Sequence, residues 1–256
     1  YRKVLSEEGP ESESIGLADG TQVHLMGDRS ADKVLLFFHG NYFFQVESLE
    51  TENPLLTQSK GGGYVMPAAD GHFKLLLHTI RDVEQHGRKL GVMFLQMVNT
   101  PASFLPNTAD LTDLCAVSPY PRQLQQAAAL LEYALTTFGK KPEQVSIDVG
   151  RFRLHLMHLD PFGWLLAGGN LTLALLSHIL HPHPQVDPIK MEGQFASVAL
   201  LSPWVTFDTE RACSMQSNCY KDALAIPVLN QRSATFRGQA PGDAYLDFFR
   251  APSGWF

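Results

Sequence analysis

Ala167-Gly168-Gly169-Asn170-Leu171-Thr172-Leu173-Ala174-Leu175-Leu176-Ser177-His178 decides how the rest of the chain is read. Its two glycines predict a strand-to-helix turn, because they let the backbone change direction sharply and let a helix start close against a sheet. The Leu/Ala run that follows has helical spacing and stops at His181-Pro182-His183-Pro184, where proline cannot continue a helix. Ahead of the turn, Gln144-Val145-Ser146-Ile147 reads as a short strand. No serine occurs between Ser146 and Ser177, and the residue immediately before Ala167 is Leu166.

Working outward, Lys33-Val34-Leu35-Leu36-Phe37-Phe38 is a continuous apolar run of the kind buried on both faces of a parallel sheet, and it ends in His39-Gly40. Gly91-Val92-Met93-Phe94-Leu95-Gln96 and Ala196-Ser197-Val198-Ala199-Leu200-Leu201-Ser202 read as two more strands. Residues 1 to 20 are acidic and Gly/Ser-rich. They end in the turn Asp19-Gly20-Thr21, after which the alternating Gln22-Val23-His24-Leu25-Met26 predicts a first strand at the sheet's edge. Helices are expected from about Gly71 to Arg88, with Phe73, Leu76, Leu77, Ile80 and Val83 on one face, and from Tyr120-Pro121-Arg122-Gln123-Leu124 to about Phe138. This alternation predicts an α/β fold with a doubly wound, mainly parallel sheet in which Val34–Phe38, Val92–Gln96, Val145–Ile147 and Val198–Leu201 are neighbours.

With 256 residues, 45% of them hydrophobic and 18% charged, the chain suffices for one α/β domain or part of a larger one. The net charge of −6 and the scattered Lys and Arg offer no basic stripe, which argues against nucleic acid as a partner. Cys115, Cys213 and Cys219 have no metal-binding spacing and suit reduced thiols, although a Cys213–Cys219 bridge stays open. No apolar run approaches the about 18 residues of a membrane helix, so no transmembrane segment is expected. A start at Tyr1 rather than Met points to a missing or processed beginning. The compartment is left open, with the cytoplasm favoured, and the oligomeric state is unspecified.

Two stretches acquire meaning together. Deleting residues 41 to 61 joins His39-Gly40 to Gly62-Gly63-Tyr64-Val65-Met66-Pro67 as His-Gly-Gly-Gly-Tyr-Val-Met-Pro, the oxyanion motif of lipases and esterases. Glycines are needed there because the backbone must offer unobstructed N–H groups to a tetrahedral oxyanion. With Asp19-Gly20-Thr21, Tyr120-Pro121-Arg122-Gln123-Leu124, Ala167-Gly168-Gly169-Asn170-Leu171, His181-Pro182-His183-Pro184, Leu201-Ser202-Pro203-Trp204-Val205 and Ala251-Pro252-Ser253-Gly254-Trp255, the chain resembles the hormone-sensitive-lipase-like branch of the α/β-hydrolases. The likeness is to fungal-type members of the α/β hydrolase fold-3 group, and it covers most of the chain in order. The resemblance implies a carboxylic ester hydrolase with a Ser-Asp-His triad, no cofactor, no metal and a small-molecule ester as substrate. It further implies an oxyanion hole from Gly40, Gly62, Gly63 and the N–H of Ala167, with His39, Gly168 and Gly169 as supporting motif residues.

The departures from that pattern are equally specific. Ala-Gly-Gly-Asn-Leu is the second half of a nucleophile elbow, and Leu166 occupies the position of the serine. The acid and base should follow beyond Trp204. Asp243 and Asp247 precede the Ala-Pro-Ser-Gly-Trp match, no histidine follows His183, and the chain stops at Phe256. The expectation is one incomplete hydrolase domain over residues 1–256, truncated at its C-terminus, with no intact triad and no turnover. Segments 41–61, 98–115 and 148–166 each interrupt a motif with roughly 20 residues that have no counterpart in the family pattern, where insertions normally sit at loop tips. Retained introns account for all three, and Val98, Val149 and Gly40-Asn41 are compatible with GT splice donors. A divergent gene with long loops is the alternative.

The close spacing of His178, His181 and His183 invites a metal reading, but a helix C-terminus that favours histidine, followed by proline stops, explains it more simply. Phe37, Phe38, Tyr64 and Trp204 read as core or pocket wall. A second functional reading is a catalytically dead hydrolase-fold protein that binds a small apolar ligand or partner.

Overall fold

The computed structural model describes residues 12–39, 70–97, 120–148, 166–200, 203–219, 221 and 225–256. Strand β1 (Ser12–Gly16) turns at Asp19-Gly20 into β2 (Gln22–Gly27), and β3 (Lys33–Phe37) follows. Helix α1 (Asp70–Gln85) leads to β4 (Leu90–Gln96), α2 (Arg122–Leu135) to β5 (Val145–Asp148), and α3 (Leu166–Leu180) to β6 (Ser197–Ala199). Two further helices, α4 (Cys213–Asn218) and α5 (Ile226–Arg237), precede a coiled C-terminal stretch.

The strands form a six-stranded sheet in the order β1-β2-β4-β3-β5-β6. From β4 to β6 the pairing is parallel, as the apolar runs predict, and Phe37 of β3 stands opposite both Phe94 and Asp148. Val34 to Phe37 and Val92 to Leu95 are each at most 4% exposed, which accounts for runs with no polar alternation. The edge assignment of Gln22–Met26 is corrected: β2 lies between β1 and β4, both antiparallel to it. The acidic, polar Ser12–Gly16 takes the edge, a composition that suits a strand with one row of backbone groups facing water.

Helix α1 buries Phe73, Leu76, Leu77 and Ile80, as its spacing requires, but ends at Gln85 rather than Arg88. Helix α2 is narrow where it must be: Ala127, Ala128 and Ala134 are buried, and its flank packs on α3. Helix α3 is apolar almost all round and correspondingly buried between α2 and the segments that follow it. The glycine turn is also corrected. Gly168 and Gly169 lie inside the first turn of α3, which already starts at Leu166, and neither has positive φ. Gly169 serves close approach instead: a Cβ there would meet Pro203 Cα at 2.7 Å and Cβ at 2.8 Å.

β6 is shorter than expected and lies with Val198 38% and Leu200 36% exposed. The segments 41–61 and 98–115 fall outside the described residues. For 148–166 only the ends are described, and both belong to regular elements: Asp148 closes β5 and Leu166 opens α3. Cys213 and Cys219 are free thiols, so no bridge joins them.

Candidate functional site

The carboxyl end of the parallel strands is where an open α/β sheet places its chemistry. Beyond Phe37 the chain continues through Phe38 and His39, both buried, and the His39 ring lies flat on Phe94 with centroids 5.5 Å apart and planes within 3°. His72, in the first turn of α1, meets His39 edge-on at 5.8 Å. The carboxyl end of β3 lies beside that of β5, since Phe37 and Asp148 are register partners. Gly40, Gly62 and Gly63 themselves lie outside the described residues. Ala167 is fully buried in the first turn of α3, where backbone N–H groups lack intrahelical acceptors. Leu166 is the first residue of α3, immediately ahead of Ala167.

Asn170 holds this end of α3 in position, a role its place in the sequence does not announce. Its Nδ2 donates to the Trp204 carbonyl at 2.7 Å and to the Leu246 carbonyl at 2.9 Å, and the side chain is buried. Thr172 Oγ1 donates back to the Gly168 carbonyl at 3.0 Å. Trp204 is buried edge-on against Phe207 at 4.5 Å, as its reading as pocket wall or core anticipates.

The described histidines and aspartates do offer one His–Asp pair, which sequence order alone does not reveal. His183 Nε2 lies 3.6 Å from Asp243 Oδ2, and Tyr120 Oη donates to the same oxygen at 3.0 Å. His183, however, follows the far end of α3. A helix rising 1.5 Å per residue puts that end about 20 Å from Ala167, so the pair cannot relay a proton to a group at the elbow. Asp247 is buried and accepts from the Phe249 N–H at 3.2 Å, with Arg250 Nε at 3.5 Å. Its contacts are those of a turn cap.

The motifs that scatter along the sequence contact one another in space. Arg122 donates to the Asp19 carboxylate and carbonyl, both at 2.8 Å, and so ties the start of α2 to the turn after β1. Burial pushes Asp19 upward, but hydrogen bonds from Thr21 and Arg122 outweigh it and hold the carboxyl below its ordinary value. Tyr120 reaches Asp243, Asn170 reaches Trp204, and His181 Nε2 donates to the Trp255 carbonyl at 2.8 Å.

A groove of about 600 Å³ opens elsewhere, between the β1–β2 turn, one face of α2 and residues 185–187. Ala128, Ala129, Tyr133 and Val186 line it, with the Arg122–Asp19 ion pair at its wall. Among the described residues no cluster of three or more His, Cys, Asp or Glu side chains could hold a metal ion, and no helix is long and apolar enough to cross a membrane.

A mixed sheet with a parallel core and helices threaded between its strands is the architecture of the α/β-hydrolase fold. No family model matches the chain, and no curated protein matches it in sequence. Solved structures do. An esterase from the bacterial hormone-sensitive lipase family is 18% identical, with a TM-score of 0.58 over 94% of this chain and 60% of its own. Carboxyl esterase 2 of the mycorrhizal fungus Tuber melanosporum is 16% identical, with a TM-score of 0.57 over 96% and 62%. A hyperthermophilic esterase from the archaeon Pyrobaculum calidifontis is 12% identical, with a TM-score of 0.57 over 97% and 65%. The chain thus has the fold of these esterases and spans 60–65% of their length.

Proposed function

We propose that this chain is the oxyanion-hole and elbow portion of a carboxylic ester hydrolase of the hormone-sensitive-lipase-like kind, and that as a 256-residue polypeptide it does not turn over esters. The observation that carries the reading is the register of β3 with β5. Pairing Leu36 with Ile147 in parallel brings the carboxyl ends of β3, which leads into His39, and of β5 to the same end of the sheet. There, N–H groups of Gly40, Gly62, Gly63 and Ala167 would donate to the oxygen of an ester carbonyl as it acquires charge. Within residues 1–256 the reaction lacks its nucleophile, since Leu166 has no atom that can attack a carbonyl, and residues 184–256 contain no histidine to act as base. Segments 41–61, 98–115 and 148–166 are translated introns on this reading, and sequencing the mature transcript tests that part directly.

The test of the chain itself is titration with an activated aryl ester. Purified protein should form no stoichiometric acyl adduct and should hydrolyse the ester at the same rate as the Gly62→Val/Gly63→Val variant. Acyl-enzyme in amounts near the protein concentration would overturn the proposal. The non-catalytic alternative draws on the groove beside α2, whose floor a small apolar ligand would meet at Ala128 and Val186. Saturable binding of an apolar probe that disappears in Ala129→Trp would favour it.

A further inference from the structure

The end of α3 carries three histidines, and the structure assigns two of them to a work that only neutral imidazoles can do. His178, fully buried, donates from Nε2 to the Asp187 carbonyl at 3.0 Å and accepts the His183 backbone N–H on Nδ1 at 2.9 Å. His183, also buried, repeats the arrangement: its Nδ1 accepts the Gln185 N–H at 3.1 Å while Nε2 faces Asp243. Each ring therefore holds Nδ1 unprotonated as an acceptor, with His178 donating from Nε2 and His183 Nε2 lying 3.6 Å from Asp243 Oδ2. A second proton would set N–H against N–H inside the fold.

These rings clasp the C-terminal stretch to the body of the protein. Asp243, facing His183, accepts the Tyr245 and Leu246 N–H groups on its other oxygen at 3.0 and 2.9 Å. Tyr245 Oη donates to the His181 carbonyl at 2.7 Å, and His181 stacks on Trp255 at 4.0 Å. One residue beyond Tyr245, the Leu246 carbonyl accepts from Asn170 at the other end of α3. The stretch 243–255 is thus pinned at the clasp and again beside the elbow.

We propose that the His178–His183 clasp is an acid-sensitive latch: protonation of its rings releases residues 181–187 and 243–255 from α3 while the sheet stays folded, and so loosens the Leu246 tie on Asn170. The latch stands apart from the ester-hydrolase reading, because it is read as conformation and needs no activity. The ionisable groups around the two rings are Asp243 and Tyr245 on the C-terminal stretch, Tyr120 ahead of α2, and His181 and Asp187 on the loop. Helix α2 meets the loop through the neutral Gln125, and α3 brings no ionisable side chain but His178. Burial lowers both imidazoles below the ordinary histidine value, against the Asp187 carbonyl at His178 and against Asp243 at His183. The closed state therefore excludes protons that the open state binds. Closure is fully supported above about pH 6.5 and weakens as pH falls below it, by up to tenfold per unit for each ring.

Amide hydrogen exchange of the full chain at about pH 7.5 and about pH 5, corrected for intrinsic rates, tests this. Protection of peptides covering 181–187 and 243–255 should drop at least about tenfold on acidification, while the β3 peptide keeps its own. In His178→Gln/His183→Gln the amides can still donate and accept but cannot titrate, and the pH effect should vanish. Unchanged wild-type protection, loss in step with β3, or an equal pH effect in the double variant would each overturn the latch. Should the variant fail to fold, NMR titration of the wild-type imidazoles decides: both must remain neutral at about pH 6.5, and a charged His178 or His183 there refutes the proposal.

Discussion

Asn170 and Gly169 show how much the seating of the start of α3 depends on single residues. Asn170→Ala leaves the Trp204 and Leu246 carbonyls without their buried donor, a loss of about 2–4 kcal/mol at roughly 1–2 kcal/mol per bond. Asn170→Asp should be worse, because it turns an oxygen toward each of two carbonyl oxygens. Gly169→Ala forces a methyl into Pro203, where the backbone atoms cannot swing aside, and should cost about 1–3 kcal/mol. Urea melts of the three variants give the order directly; a Gly169→Ala protein as stable as the parent would show that α3 and Pro203 are free to separate. The glycine pair was legible in the sequence as a close-packing signal. Its role as a turn was not borne out, since a short run of residues does not reveal where the helix begins.

At the scale of elements, β2 shows the same division. Alternation in Gln22–Met26 places His24 on a polar face, yet it is buried, accepting from Ser14 Oγ at 3.0 Å and donating to Gln96 at 2.8 Å. One imidazole thereby links β1, β2 and β4. Burial lowers its pKa, with the Gln96 bond opposing, so the link is intact above about pH 6.5 and weakens as pH falls below that value. Exchange protection of β1 should fall on acidification in the parent and become independent of pH in His24→Gln, whose basal stability should be lower. A β1 whose protection is the same at about pH 7 and about pH 5 would count against this. The helices were readable because their apolar spacing is local. The ion pair that joins Asp19 to Arg122 was not, because it spans 103 positions of the chain.

For the whole molecule the informative feature is the outer side of β6, which has no partner strand among the described residues and exposes Val198 and Leu200. A parallel edge with apolar side chains is a template for pairing with other chains, whereas the β1 edge is polar and carries the Arg29–Glu13 ion pair. We expect the purified chain to self-associate in proportion to concentration. Val198→Lys should suppress that association and shift thermal unfolding little, because the side chain is already exposed. Sedimentation of parent and variant side by side is the measurement, and equal association in both would move the contact elsewhere. That β3, β4, β5 and β6 share a parallel sheet was expected from the sequence; their order β4-β3-β5-β6 was not, nor was β1 outside β2, since Ser12–Gly16 has no apolar pattern to mark it as a strand.

The sequence by itself determined strands β2 to β6 and helices α1 to α3, with the apolar residues they bury, but not β1, α4 or α5. These are consequences of residue type and short-range period, which act within a few residues. Only the tertiary structure decided that His183 finds Asp243 at the far end of α3, that Asn170 ties the start of α3 to Leu246, and that His178 and His183 accept backbone N–H groups on Nδ1. Hydrogen-bond geometry and burial arise between positions far apart in the chain, so no local pattern encodes them.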